Sequence, residues 1–259
     1  MLALLIDGLN LIRRIHAALP QEQQPQAAFE GLTRSVHGSL RRALVRHRPT
    51  HVCLVMDGLG STWRHEIYAD YKANRSPMPA DLSARLLDLV ASVQKMGLDS
   101  VNIPKLEADD VIASMAGKFA AAGAQVVVLS TDTSFCQLLA ARVQIYDHFA
   151  DQMRNTDFVR ERFGVTPDLL PSFLSLAGLP SSNIPGVKGI GAKTSASLVN
   201  QFGALPALLA AATEVPGRPG ELLRAQIDNA ELALRLVTLK TDVHVGRNLK
   251  QLRVPDTRA

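Results

Sequence analysis

Apolar residues near the start of the chain come in short runs that close on acids. Residues 2–6 run into Asp7, residues 51–56 into Asp57, and residues 125–130 into Thr131-Asp132. Runs of this length, rich in Val, Ile and Leu and without strict alternation, predict strands buried on both faces. Residues 101–103 and 143–146 are two shorter candidates. Between the runs, apolar positions recur at helical spacing over residues 26–47, 80–95 and 108–122. Strand–helix–strand alternation predicts an α/β fold, a central mostly parallel sheet flanked by helices on both faces. Ligands of such sheets bind beyond the carboxyl ends of the strands, where Asp7, Asp57 and Asp132 fall.

Past about residue 150 the pattern changes. Pro167, Pro171, Pro180, Pro185, Gly186, Gly189 and Gly191 punctuate short helical segments. The expected division is an α/β region over 1–150 and a helical region over 151–259, packed together because no flexible stretch separates them. Residues 249–254 are expected to add an extended segment.

Composition narrows the class. The chain has 259 residues, 47% hydrophobic and 20% charged, which excludes a disordered or fibrous chain. Cys53 and Cys136 are too few for a disulfide framework or a four-thiolate zinc site, and suit a reducing compartment. No apolar run approaches the roughly 20 residues of a membrane span. Residues 1–7 lack the basic opening of a signal peptide, so a soluble cytoplasmic protein without a membrane partner is expected. With 28 Lys+Arg against 24 Asp+Glu, the net charge of +4 permits a polyanionic partner without demanding one.

Three segments hold candidate chemistry. Glu107-Ala108-Asp109-Asp110 places three acids at a helix start. One acid there would complement the helix dipole. Three acids, near Asp7, Asp57 and Asp132, repel one another unless a cation holds them, and hard oxygen ligands suit Mg²⁺ or Mn²⁺. The second segment, residues 63–75, mixes Arg64, Lys72 and Arg75 with Trp63, Tyr68 and Tyr71. That mixture suits phosphates and stacked bases, or equally a solvated helix whose aromatics anchor it to a core. The third is Asn183-Ile184-Pro185-Gly186-Val187-Lys188-Gly189-Ile190-Gly191-Ala192-Lys193-Thr194, a glycine-rich turn opening a helix. Its first-turn N–H groups, with Lys188 and Lys193, suit an anion. Its spacing fits neither the nucleotide P-loop nor the dinucleotide fingerprint, which leaves a sequence-independent clamp on phosphodiesters.

Taken together, these segments resemble the bacterial 5′-nuclease (flap endonuclease) superfamily. The matching residues are Leu4-Leu5-Ile6-Asp7-Gly8-Leu9-Asn10-Leu11, Asp57, Tyr71-Lys72-Ala73-Asn74-Arg75, Glu107-Ala108-Asp109-Asp110, Ser130-Thr131-Asp132 and Ile184 to Thr194. The resemblance implies a catalytic domain centred on a PIN-like sheet, a helical arch, and a helical region with a helix-three-turn-helix DNA clamp. It further implies Mg²⁺-dependent hydrolysis of phosphodiesters at 5′ flaps of branched DNA by a monomer. Asp109 is then the first choice for direct coordination, with Asp7, Asp57, Glu107, Asp110 and Asp132 as further ligands, some through metal-bound water. Lys72 and Arg75 would stabilise charge on the scissile phosphate, and Tyr71 would stack on an end base. DNA would be held by Gly189, Ile190, Gly191, Ala192, Lys193, Thr194, Lys188 and Arg64. A K⁺ ion would sit on backbone carbonyls of Leu176, Ala177, Pro185, Val187 and Ile190.

Departures from the family pattern matter as much. Ser134, Leu179 and Ser182 stand where it has aspartates of a second metal position. With Trp63-Arg64-His65, they point to the short exonuclease IX (Xni)-type branch. A second ion would then be held only through waters and substrate phosphate, and cleavage would be weaker than in relatives with every carboxylate. The competing reading is a branched-DNA-binding protein with a degenerate catalytic centre. A nucleotide-binding protein lacks its phosphate loop here, and the clamp favours duplex DNA over the RNA of one-metal relatives.

Overall fold

The structure is a computed structural model that describes residues 1–20 and 24–254. The first half runs β1 (Leu2–Asp7), α1 (Gly8–Ala18), α2 (Pro25–His47), β2 (His51–Met56), α3 (Trp63–Ile67), α4 (Ala80–Gln94), β3 (Asp99–Asn102), α5 (Ala108–Ala121), β4 (Gln125–Leu129), β5 (Val143–Asp147) and β6 (Gln152–Arg154). The strands form one sheet in the order β3-β2-β1-β4-β5-β6. The first five are parallel, and β6, which the sequence did not announce, pairs antiparallel with β5.

Side chains alternate across the sheet as strand geometry requires. Ala3, Leu5, Cys53, Val55, Val126 and Val128 face Val111, Ile112 and Met115 of α5. Leu4, Ile6, Val52, Leu54, Val127 and Leu129 face Leu11 and Ile12 of α1, Val36 and Leu40 of α2, and Leu89 and Val93 of α4. Both faces are therefore covered, which is why the strands read as continuous apolar runs. Gly8 opens α1 against β2, and a Cβ there would stand 2.9 Å from the Val55 carbonyl oxygen. Sheet order reverses at β1, whose neighbours are β2 and β4, so the topological switch point lies beyond Asp7 and Ser130.

The second half is helical: α6 (Thr156–Phe163), α7 (Leu170–Ala177), α8 (Ala192–Phe202), α9 (Leu205–Ala210), α10 (Gly217–Ala225) and α11 (Ile227–Val237). Phe173, Leu176, Leu198, Val199, Leu208 and Leu236 form its core, and Tyr71 and Cys136 of the first half join it.

Between β2 and α4 the chain forms the short α3 and then turns and irregular backbone over residues 68–79, and α4 packs on the sheet through Leu82, Leu89 and Val93. One expectation needs correction. Residues 249–252 are turns rather than extended chain, with a lone bridge between Arg253 and His51. Among the described residues, no helix is long and apolar enough to cross a membrane.

Candidate active site at the carboxyl edge of the sheet

Asp7 ends β1 and is buried, 6% exposed. Its Oδ1 accepts from the Asn10 N–H (3.2 Å) and its Oδ2 from the Ser130 hydroxyl (2.8 Å). Ser130 Oγ in turn accepts from the Asp132 N–H (3.1 Å), tying the ends of β1 and β4 together. Asn10 Oδ1 accepts from the Thr131 N–H (3.3 Å) and hydroxyl (3.0 Å) across the same junction. Asp132 caps the 3-10 turn Thr133–Leu138, its Oδ1 accepting from the Ser134 N–H at 2.8 Å. Asp57 is exposed just past β2, and its Oδ1 accepts from the Ala108 N–H (2.7 Å), which pins the start of α5 to the sheet edge.

The three acids opening α5 divide by helical geometry. Positions three apart share a face, whereas the intermediate one points elsewhere. Glu107 and Asp110 therefore turn together into the protein, where both meet Arg64. The Arg64 Nη1 donates to Glu107 Oε2 (2.6 Å) and Asp110 Oδ2 (2.8 Å), and Nη2 donates to Asp110 Oδ1 (2.8 Å). Arg64 also donates to the carbonyls of Leu236 (2.8 Å) and Thr238 (3.3 Å), stapling α5 to the end of α11. Asp110 accepts further from Trp63 Nε1 (2.8 Å) and the Lys240 N–H (2.9 Å). Glu107 accepts from the Tyr71 hydroxyl (3.2 Å) and pairs with the Lys72 ammonium.

Arg64 is 2% exposed and so is not a surface DNA contact; the two acids spend their lone pairs on it rather than on a metal. Asp110 in particular has both oxygens occupied and is 0% exposed. Tyr71 is buried in the helical core, so it anchors the segment and does not offer a face to a base. Of the two readings open for residues 63–75, anchoring accounts for Tyr71 and Arg64, and Lys72 alone of the remaining basic residues reaches the acids. Arg75 instead donates Nε to the Ser181 carbonyl (2.8 Å) and Nη2 to Ser182 Oγ (3.2 Å).

Asp109 is half-buried, and the Arg64 hydrogen bonds go to its neighbours Glu107 and Asp110. Burial raises its carboxyl well above the ordinary value; Lys72 opposes the shift, and Asp7, Asp132 and Glu107 add to it. Asp7 is pushed up to about 7, first by burial, with Ser130 and Asn10 opposing and the fields of Asp57 and Asp132 adding. Burial alone would lower the Lys72 ammonium, but Asp109 and Glu107 outweigh it and hold it above its usual range. Asp7, Asp57, Asp109 and Asp132 are thus a group of hard oxygen donors with mutual repulsion and no ion-paired cation among the described residues. They do not form a preformed cage: among the described residues, no three His, Cys, Asp or Glu side chains are arranged to hold a metal ion. The donor set fits Mg²⁺ or Mn²⁺ in chemistry, and Mg²⁺ bridges longer gaps through the waters it keeps.

The glycine-rich turn lies between α7 and α8. Gly186, at φ 64°, packs so closely on the end of α7 that a Cβ would stand 2.6 Å from the Leu176 carbonyl oxygen. Leu176 O and Val187 O each accept a backbone hydrogen bond, from Val187 N (2.9 Å) and Ile190 N (3.0 Å). Lys188, Gly189, Gly191, Ala192 and Lys193 are exposed, Thr194 is half-buried and Ile190 is buried. α8 has Gly191 as its N-cap, with no side-chain cap and no first-turn acid, so its opening N–H groups and positive dipole end are left for an anion. Of the positions where the family pattern has second-site aspartates, Ser134 and Ser182 are buried and Leu179 bridges to Ile184. Asn10 and Ser130 serve the site although their motifs carry no sign of these roles, and Trp63, one of the aromatics of the 63–75 segment, serves it through Asp110 rather than through a base.

Residues 2–164 match the family model for the 5′-3′ exonuclease N-terminal resolvase-like domain, and residues 165–259 match that for the 5′-3′ exonuclease C-terminal SAM fold. Flap endonuclease Xni of Aeromonas salmonicida is 41% identical over 254 residues, covering 97% of this chain and 96% of that protein. The zinc-bound 5′-exonuclease of phage T5 superimposes with a TM-score of 0.81 at 21% identity, covering 93% of this chain and 90% of that one. The phage T5 flap endonuclease in a pseudo-enzyme-product complex with DNA and metal ions gives a TM-score of 0.76 at 21% identity, covering 92% and 89%. The structural likenesses establish the fold, and the sequence matches establish the kinship: this chain belongs to the 5′-3′ exonuclease family of nucleases.

Proposed function

We propose that the protein is a divalent-metal-dependent flap endonuclease, hydrolysing phosphodiesters near the base of 5′ flaps in branched DNA. The observation that carries this reading is the group Asp7, Asp57, Asp109 and Asp132 at the switch point, in which burial and neighbouring acids hold the Asp7 and Asp109 carboxyls above their usual range and no member forms an ion pair among the described residues. Asp109, Asp7 and Asp132 would hold Mg²⁺, directly or through its waters, with Asp57 at the rim. Bound there, the ion would polarise the phosphate and acidify the attacking water. The protein's own contribution is positional. Asn10 and Ser130 fix the Asp7 carboxylate. Lys72 offers a charge beside Asp109 for the scissile phosphate, held meanwhile by Glu107. The opening N–H groups of α8, with Lys188 and Lys193, grip a backbone phosphate without reading sequence. A K⁺ ion on carbonyls around Leu176 and Val187 would offset repulsion where phosphate meets the turn. The relative's name and the T5 complex with DNA support the substrate class.

A second reading, a branched-DNA binder without cleavage, is favoured by Ser134, Leu179 and Ser182 and by the lack of a preformed cage among the described residues. A labelled 5′-flap duplex with Mg²⁺ separates the two. The nuclease reading expects cleavage that disappears with chelator and in Asp109→Asn, while flap affinity persists. Equal traces with and without metal favour the binder.

A further inference from the structure

The loop after α3 and the first turn of the glycine-rich clamp are laced together in both directions. Asn74 Nδ2 donates to the Pro180 carbonyl (2.7 Å), and Asn183 Nδ2 donates back to the Asp70 carbonyl (2.7 Å). Between them the Lys72 N–H donates to the Ser182 carbonyl (3.0 Å). Lys72 and Asn183, on opposite sides of this seam, both have left-handed backbone, at φ 57° and 55°. Asparagine tolerates that region, but lysine does not favour it and keeps it only where surroundings over-determine the conformation. Here the over-determination comes from across the seam, 110 residues away in sequence for Lys72 and Ser182 (182 − 72). The side chain so oriented is the one whose ammonium meets Glu107 and feels Asp109.

We propose that Asn74 and Asn183 are positioning residues for the reaction. By clasping the two segments they hold the Lys72 backbone in its left-handed turn and set its ammonium at the edge of the carboxylate group. The clamp that grips phosphate is thereby tied mechanically to the reacting centre. Neither asparagine touches the carboxylates, so both act through Lys72. The proposal rests on the nuclease reading for its catalytic consequence, but the clasp itself can be read without any reaction.

The test uses the full chain with Asn74→Ala, Asn183→Gly, which keeps the positive φ, and the double variant. Hydrogen exchange at the Lys72 amide is measured without metal, and kcat and KM on a 5′-flap duplex with Mg²⁺. The clasp predicts that exchange at Lys72 rises about tenfold or more in the double variant while amides in β1 and β4 keep their protection. It predicts that kcat falls about 10- to 100-fold with KM within about twofold, since misplacing a reacting group spares ground-state binding. Unchanged exchange at Lys72 overturns the clasp. Faster exchange with unchanged kcat, or a loss confined to KM, overturns its positioning role. A wild-type protein that binds flaps without cutting them contradicts the nuclease reading instead, and the Lys72 amide then still decides whether the clasp exists.

Discussion

Replacing Arg64 with alanine separates two accounts of the same residue. A basic side chain in an aromatic segment suggests a surface contact to DNA, whereas the structure buries it at 2% exposure. Its guanidinium makes five hydrogen bonds, three to the carboxylates of Glu107 and Asp110 and two to the carbonyls of Leu236 and Thr238. Truncation leaves Asp110, at 0% exposure, with only Trp63 and the Lys240 N–H as donors among the described residues. Breaking a buried pair from one side costs about 3–5 kcal/mol, because the remaining charge stays desolvated. For a chain of this size, each kcal/mol lowers Tm by about 2–4 °C, so Arg64→Ala should melt about 6–20 °C below wild type. Arg64→Lys, which keeps the charge but not the fork, should fall between them. Thermal unfolding gives Tm, and fluorescence anisotropy with a flap duplex, well below melting, gives affinity. The burial argument predicts a large loss of Tm with DNA affinity retained by the folded fraction. An unchanged Tm with weakened DNA binding would refute it.

Three further outcomes follow from the site. In chelator, Asp7, raised from 3.8 to about 7, binds its proton in the folded state over a window where the unfolded chain has released it. Stability must therefore fall as pH rises through that window, and Asp7→Asn should flatten the dependence of Tm on pH between about 4 and 7; equal slopes would count against the burial that raises the Asp7 carboxyl. Lys188→Ala with Lys193→Ala should lower the salt slope of DNA binding by about 0.9 for each phosphate that is no longer neutralised, so an unaltered slope would remove both from the interface. DNA affinity should rise when K⁺ replaces a large organic cation at fixed ionic strength, and no difference would dismiss the ion at the turn.

What the sequence made legible follows from what is local. Asp7, Asp57 and Asp132 could be placed at one edge because parallel strands buried on both faces announce themselves and end where their apolar runs end. The division of labour among Glu107, Asp109 and Asp110 could not be read, because it depends on Arg64, which lies 43 residues before Glu107 and enters from another helix. Basic and aromatic residues in alternation look the same whether they face a phosphate or a carboxylate pair, so the pattern leaves both readings open; the family resemblance points Tyr71 and Arg64 at DNA, whereas the structure buries both. Lys72 was found by its motif, but its left-handed backbone and the clasp from Asn183 are tertiary facts. β6 was missed because three residues on a sheet edge leave almost no pattern. The segment over 249–254 departs from extended chain because it closes turns on itself, with the Leu252 N–H donating to the Leu249 carbonyl and the Arg253 N–H to the Lys250 carbonyl, and only its end reaches His51 and Val52.

The central claim is that the clustered acids at the switch point are a divalent-cation site. Crystals soaked in Mn²⁺, with the anomalous signal recorded, test it most directly. The account predicts a peak bordered by Asp7, Asp109 and Asp132 that vanishes in Asp109→Asn. A map with no peak there in the wild-type protein, or with its only peak elsewhere, would contradict it.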